Sequence, residues 1–107
     1  MTESEFNQRV DDIIEQIEEA VDDSGANIDF ETAGGILTLI FENNSKIIIN
    51  RQTPVQQIWV AAKSGGFHFD YDQAQDQWCK DSDGQELFAA LSQYCSEQSG
   101  EQIDLIS

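Results

Sequence analysis

Phe6, Val10, Ile13, Ile17 and Val21 recur at steps of three and four residues. That spacing lines them up on one face of a helix running from residue 4 to about residue 21. Asp22, Asp23, Ser24 and Gly25 then stop it. The period changes next to two, and residues 27–32, 36–42, 46–51, 56–63, 67–72 and 77–80 read as strands. Ala33-Gly34-Gly35, Asn43-Asn44-Ser45, Thr53-Pro54, Ser64-Gly65-Gly66 and the polar stretch 73–76 separate them with turn chemistry. Short links between successive strands imply an antiparallel meander. A second helix is expected from residue 83 to about residue 98. Ser82 and Gln85 have the spacing of a capping box, and Leu87, Phe88, Leu91, Tyr94 and Cys95 form an apolar face. Gly100 ends it, and the tail, 101–107, offers Ile103 and Leu105 for packing.

Helix, strands, helix is an α+β order. Each helix has one apolar stripe, so both are expected on the same face of the antiparallel sheet, a two-layer sandwich. The alternation assigns that face. Leu37, Leu39, Phe41, Ile47, Ile49, Ile58, Val60, Phe67, Phe69 and Tyr71 point toward the helices. Thr38, Ile48, Asn50, Gln57, Trp59, His68 and Asp70 point to the other face, which has nothing left to cover it.

Length fits one domain over residues 1–107. A chain this long buries roughly two-thirds of its unfolded surface and needs no staples. Hydrophobic residues at 39%, with two Trp and six Phe, exclude a disordered acidic tail. Charge changes the picture more. Against 5 bases stand 21 acids, for a net −16. Residues 1–31 hold eleven of those acids and a single base, Arg9, and so carry −10 of the total. Such a field repels nucleic acid and anionic membranes and favours metal cations and basic protein patches. No apolar run is long enough for a bilayer, and the start, MTESEF, lacks the basic and apolar stretches of a signal peptide. The expected location is the cytoplasm. Cys79 and Cys95 match no redox or zinc spacing and are expected as reduced thiols in or near the core.

Asp11, Glu15, Glu18 and Asp22 step by four, three and four, with Asp12, Glu19 and Asp23 in the stripe beside them. Like charges at these spacings destabilise a helix by a few tenths of a kcal/mol per pair, roughly. Acids at the C-terminal end also oppose the helix dipole. Asp29 and Glu31 share one face of the first strand, so helix end and strand start can form one carboxylate surface. All-oxygen ligands suit hard or borderline cations and not a dedicated zinc site. The same pattern also fits a solvated face that keeps the protein soluble.

His68 is the only histidine. On a strand it is a bystander, a ligand or a switch, and one His without a surrounding motif supports no nucleophilic triad. Asp81-Ser82-Asp83-Gly84 lacks the spacing and terminal Glu of a calcium loop and reads as a helix cap. Gly34-Gly35 and Gly65-Gly66 read as hairpin turns. Trp59 is either tucked under a loop or left exposed as an interface anchor.

Three segments together resemble the bacterial frataxin family: Gly34-Gly35-Ile36-Leu37-Thr38, Asn50-Arg51-Gln52-Thr53-Pro54-Val55-Gln56-Gln57-Ile58-Trp59, and Ser64-Gly65-Gly66-Phe67-His68-Phe69. The resemblance covers essentially the whole chain. It implies two helices on one face of an antiparallel sheet and a role in iron–sulfur cluster biogenesis. It also implies weak binding of Fe²⁺ or Fe³⁺, and of other divalent cations, on an acidic ridge. By position that ridge is Glu18, Glu19, Asp22, Asp23, Asp29 and Glu31. The implied partners are the cysteine desulfurase, met by Glu18, Glu19, Asp22 and Asp23, and the assembly complex with its scaffold, met by Trp59. A monomer is expected, with iron-dependent oligomers left open. Ala33 stands where Asn is usual, the link 24–27 is short and poor in acids, and Asn7 stands where some relatives have His. Modulation of cluster assembly is thus the leading expectation. The alternatives are a ferroxidase or iron-storage or iron-delivery protein, and an anionic interaction domain with incidental metal binding. Di-iron oxidation sites use Glu-x-x-His motifs on packed helices, and this sequence has none.

Overall fold

A computed structural model describes residues 1–106. Its elements run α1 (Glu3–Asp23), β1 (Ile28–Ala33), β2 (Ile36–Phe41), β3 (Lys46–Gln52), a 3₁₀ turn (Thr53–Val55), β4 (Gln57–Ala62), β5 (Gly65–Asp72), β6 (Gln77–Lys80) and α2 (Leu87–Ser99). The six strands form one sheet in sequence order, and every neighbouring pair is antiparallel. The helices bury one face of it. Phe6, Val10, Ile17 and Val21 of α1 and Leu87, Leu91 and Cys95 of α2 share a core with Leu37, Leu39, Ile47, Ile49, Ile58, Val60 and Phe69. The meander and the assignment of faces follow the alternation, with Phe67 and Tyr71 half-buried at its margin.

Several local expectations are corrected. Helix α1 starts earlier because Thr2 and Glu5 close a capping box, with Glu5 N–H donating to Thr2 Oγ1 at 3.1 Å and Thr2 N–H to Glu5 Oε1 at 3.0 Å. At its other end Asp22 and Asp23 stay helical, and the Ser24 hydroxyl closes the last turn on the Val21 carbonyl. Ile14, not Ile13, is the fully packed member of the stripe, and Ile13 lies half-buried beside it. Helix α2 begins at Leu87 rather than residue 83, and the Ser82–Gln85 capping box does not form. The 81–86 backbone is committed elsewhere: Lys80 N–H donates to the Gln85 carbonyl at 2.8 Å, Gly84 N–H donates to the Lys80 carbonyl at 2.8 Å, and Cys79 bridges to Glu86. The Glu86 carboxylate caps α2 instead, accepting from Phe88 N–H at 2.8 Å and Ala89 N–H at 3.2 Å. Asp81-Ser82-Asp83-Gly84 is therefore a turn and not a cap, with Asp83 Oδ1 accepting from Gln85 N–H.

The tail finds its partner in α2. Ser96 Oγ accepts from Ile103 N–H and Ser92 Oγ from Leu105 N–H, which seats both apolar side chains. Trp78, to which the strand pattern gave no face, is 2 % exposed and meets Phe6 edge-on at 5.9 Å. One clamp fixes α1 against the sheet. The β1–β2 hairpin turns on Gly34-Gly35, both with positive φ, and a Cβ on Gly35 would stand 3.2 Å from the Arg51 guanidinium. Glycine there leaves room for Arg51 to reach Asp11 Oδ1 at 2.6 Å and Asn7 Oδ1 at 3.3 Å.

Candidate functional site

The carboxylates singled out by the sequence gather at the β1 edge of the sheet. Glu18, in the third quarter of α1, accepts a hydrogen bond from the Thr32 hydroxyl, which ties the helix to β1. Thr32 pairs with Leu37 and so belongs to the helix-covered face. Asp29 and Glu31 pair with Ile40 and Thr38 and therefore project from the opposite, open face. The helix acids and the strand acids thus flank one edge from two sides. Glu19, Asp22, Asp23, Asp29 and Glu31 are exposed and Glu18 is half-buried.

None of these six takes part in an ion pair among the described residues. The pairs that form are Arg9–Asp76, Arg51–Asp11 and Lys80–Asp83, and the His68 ring lies beside Asp81. Asp11, a member of the acidic stripe, is thereby set apart by Arg51, and Asp12 accepts from the Gln8 amide. Among the described residues no three His, Cys, Asp or Glu side chains converge closely enough to hold a metal ion. Among the described residues the ridge thus presents its carboxylates singly or in pairs and not as a closed cage. That donor set fits loose binding of hard and borderline cations.

The second surface is the open sheet face. Trp59 is 38 % exposed there, and the adjacent strand residue Ile48 is 39 % exposed. The indole stacks on the His68 ring at 4.5 Å, and its N–H donates to Gln57 Oε1 at 2.9 Å. A shallow hollow of about 220 Å³ beside it is lined by Ile48, Asn50, Ala61 and Phe67. Trp59 is therefore no core residue, and its orientation is fixed by its strand neighbours. Ile48 is the contact that sequence reasoning put on this face without giving it a role. Thr32 was missed as Glu18's partner, and no sequence pattern signals a bond across fourteen residues.

Both thiols are held protonated. Burial pushes Cys95 up to about 12, and it raises Cys79 with help from the nearby charges of Asp72 and Glu86.

A family model described as the frataxin-like domain matches residues 1–101. The chain belongs to the frataxin-like family. The iron-sulfur cluster assembly protein CyaY of Vibrio parahaemolyticus is 50% identical over 104 residues, which cover 97% of this chain and 98% of that one. The protein of the same name from Pseudomonas aeruginosa is 49% identical over 104 residues, covering 97% and 96%. A solved frataxin from Psychromonas ingrahamii is 41% identical, with a TM-score of 0.91 and full coverage of both chains. Yeast frataxin, at 24% identity and a TM-score of 0.64 over 88% of this chain and 80% of its own, shares the fold. Among the described residues of this frataxin-like chain no helix is long and apolar enough to cross a membrane.

Proposed function

We propose that this chain acts in iron–sulfur cluster assembly as an iron-responsive regulator rather than an enzyme. It binds iron weakly on the ridge of α1 and β1 and modulates the cysteine desulfurase of the cytoplasmic assembly machinery. The observation that carries this reading is the gathering of six carboxylates without basic partners at one edge of the fold. The name of the bacterial relatives, iron-sulfur cluster assembly protein, supports the pathway.

The mechanism is electrostatic. Exposed carboxylates hold Fe²⁺ or Fe³⁺ as cargo through one or two oxygens each, so affinity is modest and selectivity poor. The same acids suit Lys and Arg on the desulfurase, so ion and partner compete for one surface. Trp59 and Ile48 supply apolar area for the scaffold on the open sheet face, away from the acids of α1. Six carboxylates in a sequence without a Glu-x-x-His motif support binding and partner steering over ferroxidase chemistry.

Cysteine desulfurase turnover and cluster formation on the scaffold, measured with this chain at low and at high iron, test the reading. The expected result is an effect of the chain that changes with iron. An effect indifferent to iron would leave only an anionic interaction domain. Turnover of Fe²⁺ above the uncatalysed rate would make it an enzyme.

A further inference from the structure

The open face carries a second constellation that the ridge does not use. Trp59 of β4 pairs with His68 of β5. Asp81 N–H donates to the His68 carbonyl at 2.9 Å, so Asp81 continues the ladder just past β6 and stands opposite His68. Indole, imidazole and carboxylate thus form a row across three neighbouring segments. Stacking on Trp59 orients the imidazole, and His68 Nδ1 lies 3.6 Å from Asp81 Oδ2. The Gln57 amide bonds Asp70 Oδ1 at 3.1 Å and reaches Asp81 Oδ2 at 3.5 Å, which draws a second carboxylate toward the pair.

We propose that His68 Nδ1 and Asp81 Oδ2 form a second cation site, distinct from the ridge, for a borderline divalent ion of the Ni²⁺, Cu²⁺ or Zn²⁺ class. Two donors each about 2.1 Å from one ion stand roughly 3.4 Å apart at a tetrahedral angle. The present separation needs to close by only a few tenths of an ångström, roughly. The side chains are 45 % and 40 % exposed, so water completes the shell. Imidazole nitrogen is the donor that separates these ions from hard cations, and the six ridge residues have none. The two surfaces therefore sort metals by ligand chemistry. Cys79 lies on the same face, paired with Asp70 across the ladder. An ion on His68 sets positive charge against the Trp59 ring, and so alters the surface that face offers to a partner.

The test is ¹H–¹⁵N NMR of the full chain during titration with Ni²⁺ and, separately, Mn²⁺. Substoichiometric Ni²⁺ is expected to broaden the His68 and Asp81 amides and the Trp59 indole N–H first. In His68→Gln and in Asp81→Asn the Ni²⁺ needed is expected to rise by about tenfold or more, since loss of a mere supporting contact to a metal ligand already costs about that much. Mn²⁺ broadening at Glu18, Asp22, Asp29 and Glu31 is expected to match the parent in both variants, which also shows that they are folded. Ni²⁺ broadening that starts on the ridge or at Cys79, or that persists unchanged in both variants, would overturn the site.

Discussion

Asp22 and Asp23 occupy the last turn of α1, where the helix dipole favours cations and no basic residue is present. Their side chains make no ion pair among the described residues. Asp22→Asn and Asp23→Asn are expected to raise stability by about 0.3–1 kcal/mol each, read from thermal or urea unfolding. A loss would make these acids structural partners and remove the argument that they are kept for binding. Glu18 does not belong in that pair, because it accepts from Thr32. Cys95 sets a second limit. Its folded-state thiol is raised from 9.0 to about 12 by burial. Burial thus favours the neutral thiol, and this contribution is complete below pH 9 and lost as pH rises from about 9 toward about 12, where the unfolded chain binds fewer protons. Unfolding followed across that window is expected to show falling stability, with a shallower fall in Cys95→Ala. Equal slopes would show that the Cys95 thiol does not control the alkaline limb.

Among the elements, the sheet was the most legible. Alternation at residues 36–41 and 46–49 places Leu37, Leu39, Ile47 and Ile49 inside, and pairing across the strands leaves no freedom to invert it. The start of α2 was not legible, because Ser82 and Gln85 satisfy a local rule that long-range bonding overrides. The Cys79–Glu86 bridge and the Lys80–Gln85 bond commit that backbone to the edge of β6. The ridge was legible as helix stripes. The hydrogen bond to Thr32 and the removal of Asp11 by Arg51 depend on tertiary contacts that no periodicity encodes. The two candidate caps of α2 make a direct comparison. Glu86→Ala is expected to cost about 1 kcal/mol in urea unfolding, the ordinary loss of a side-chain cap, while Ser82→Ala is expected to be close to neutral. The reverse order would restore the cap at Ser82.

Across the whole molecule, a chain of net charge −16 carries its densest unpaired charge on one edge and its exposed aromatic on the open sheet face. Charge on an exposed edge steers encounter and is screened over about 8 Å at physiological salt. An aromatic anchor acts on release instead, and its truncation costs about 2 kcal/mol, roughly a 30-fold faster dissociation. The two surfaces are therefore separable by kinetics. The decisive measurement is the rate of association with the cysteine desulfurase, from low to physiological salt, for the parent and for the Glu18→Gln, Glu19→Gln, Asp22→Asn, Asp23→Asn variant. Trp59→Ala serves as the contrast. The parent and Trp59→Ala are expected to associate fastest at low salt and to slow steeply as salt rises, and the ridge variant to be slow at low salt and nearly flat. A ridge variant that associates as fast as the parent at low salt would contradict the assignment of these carboxylates as the docking surface.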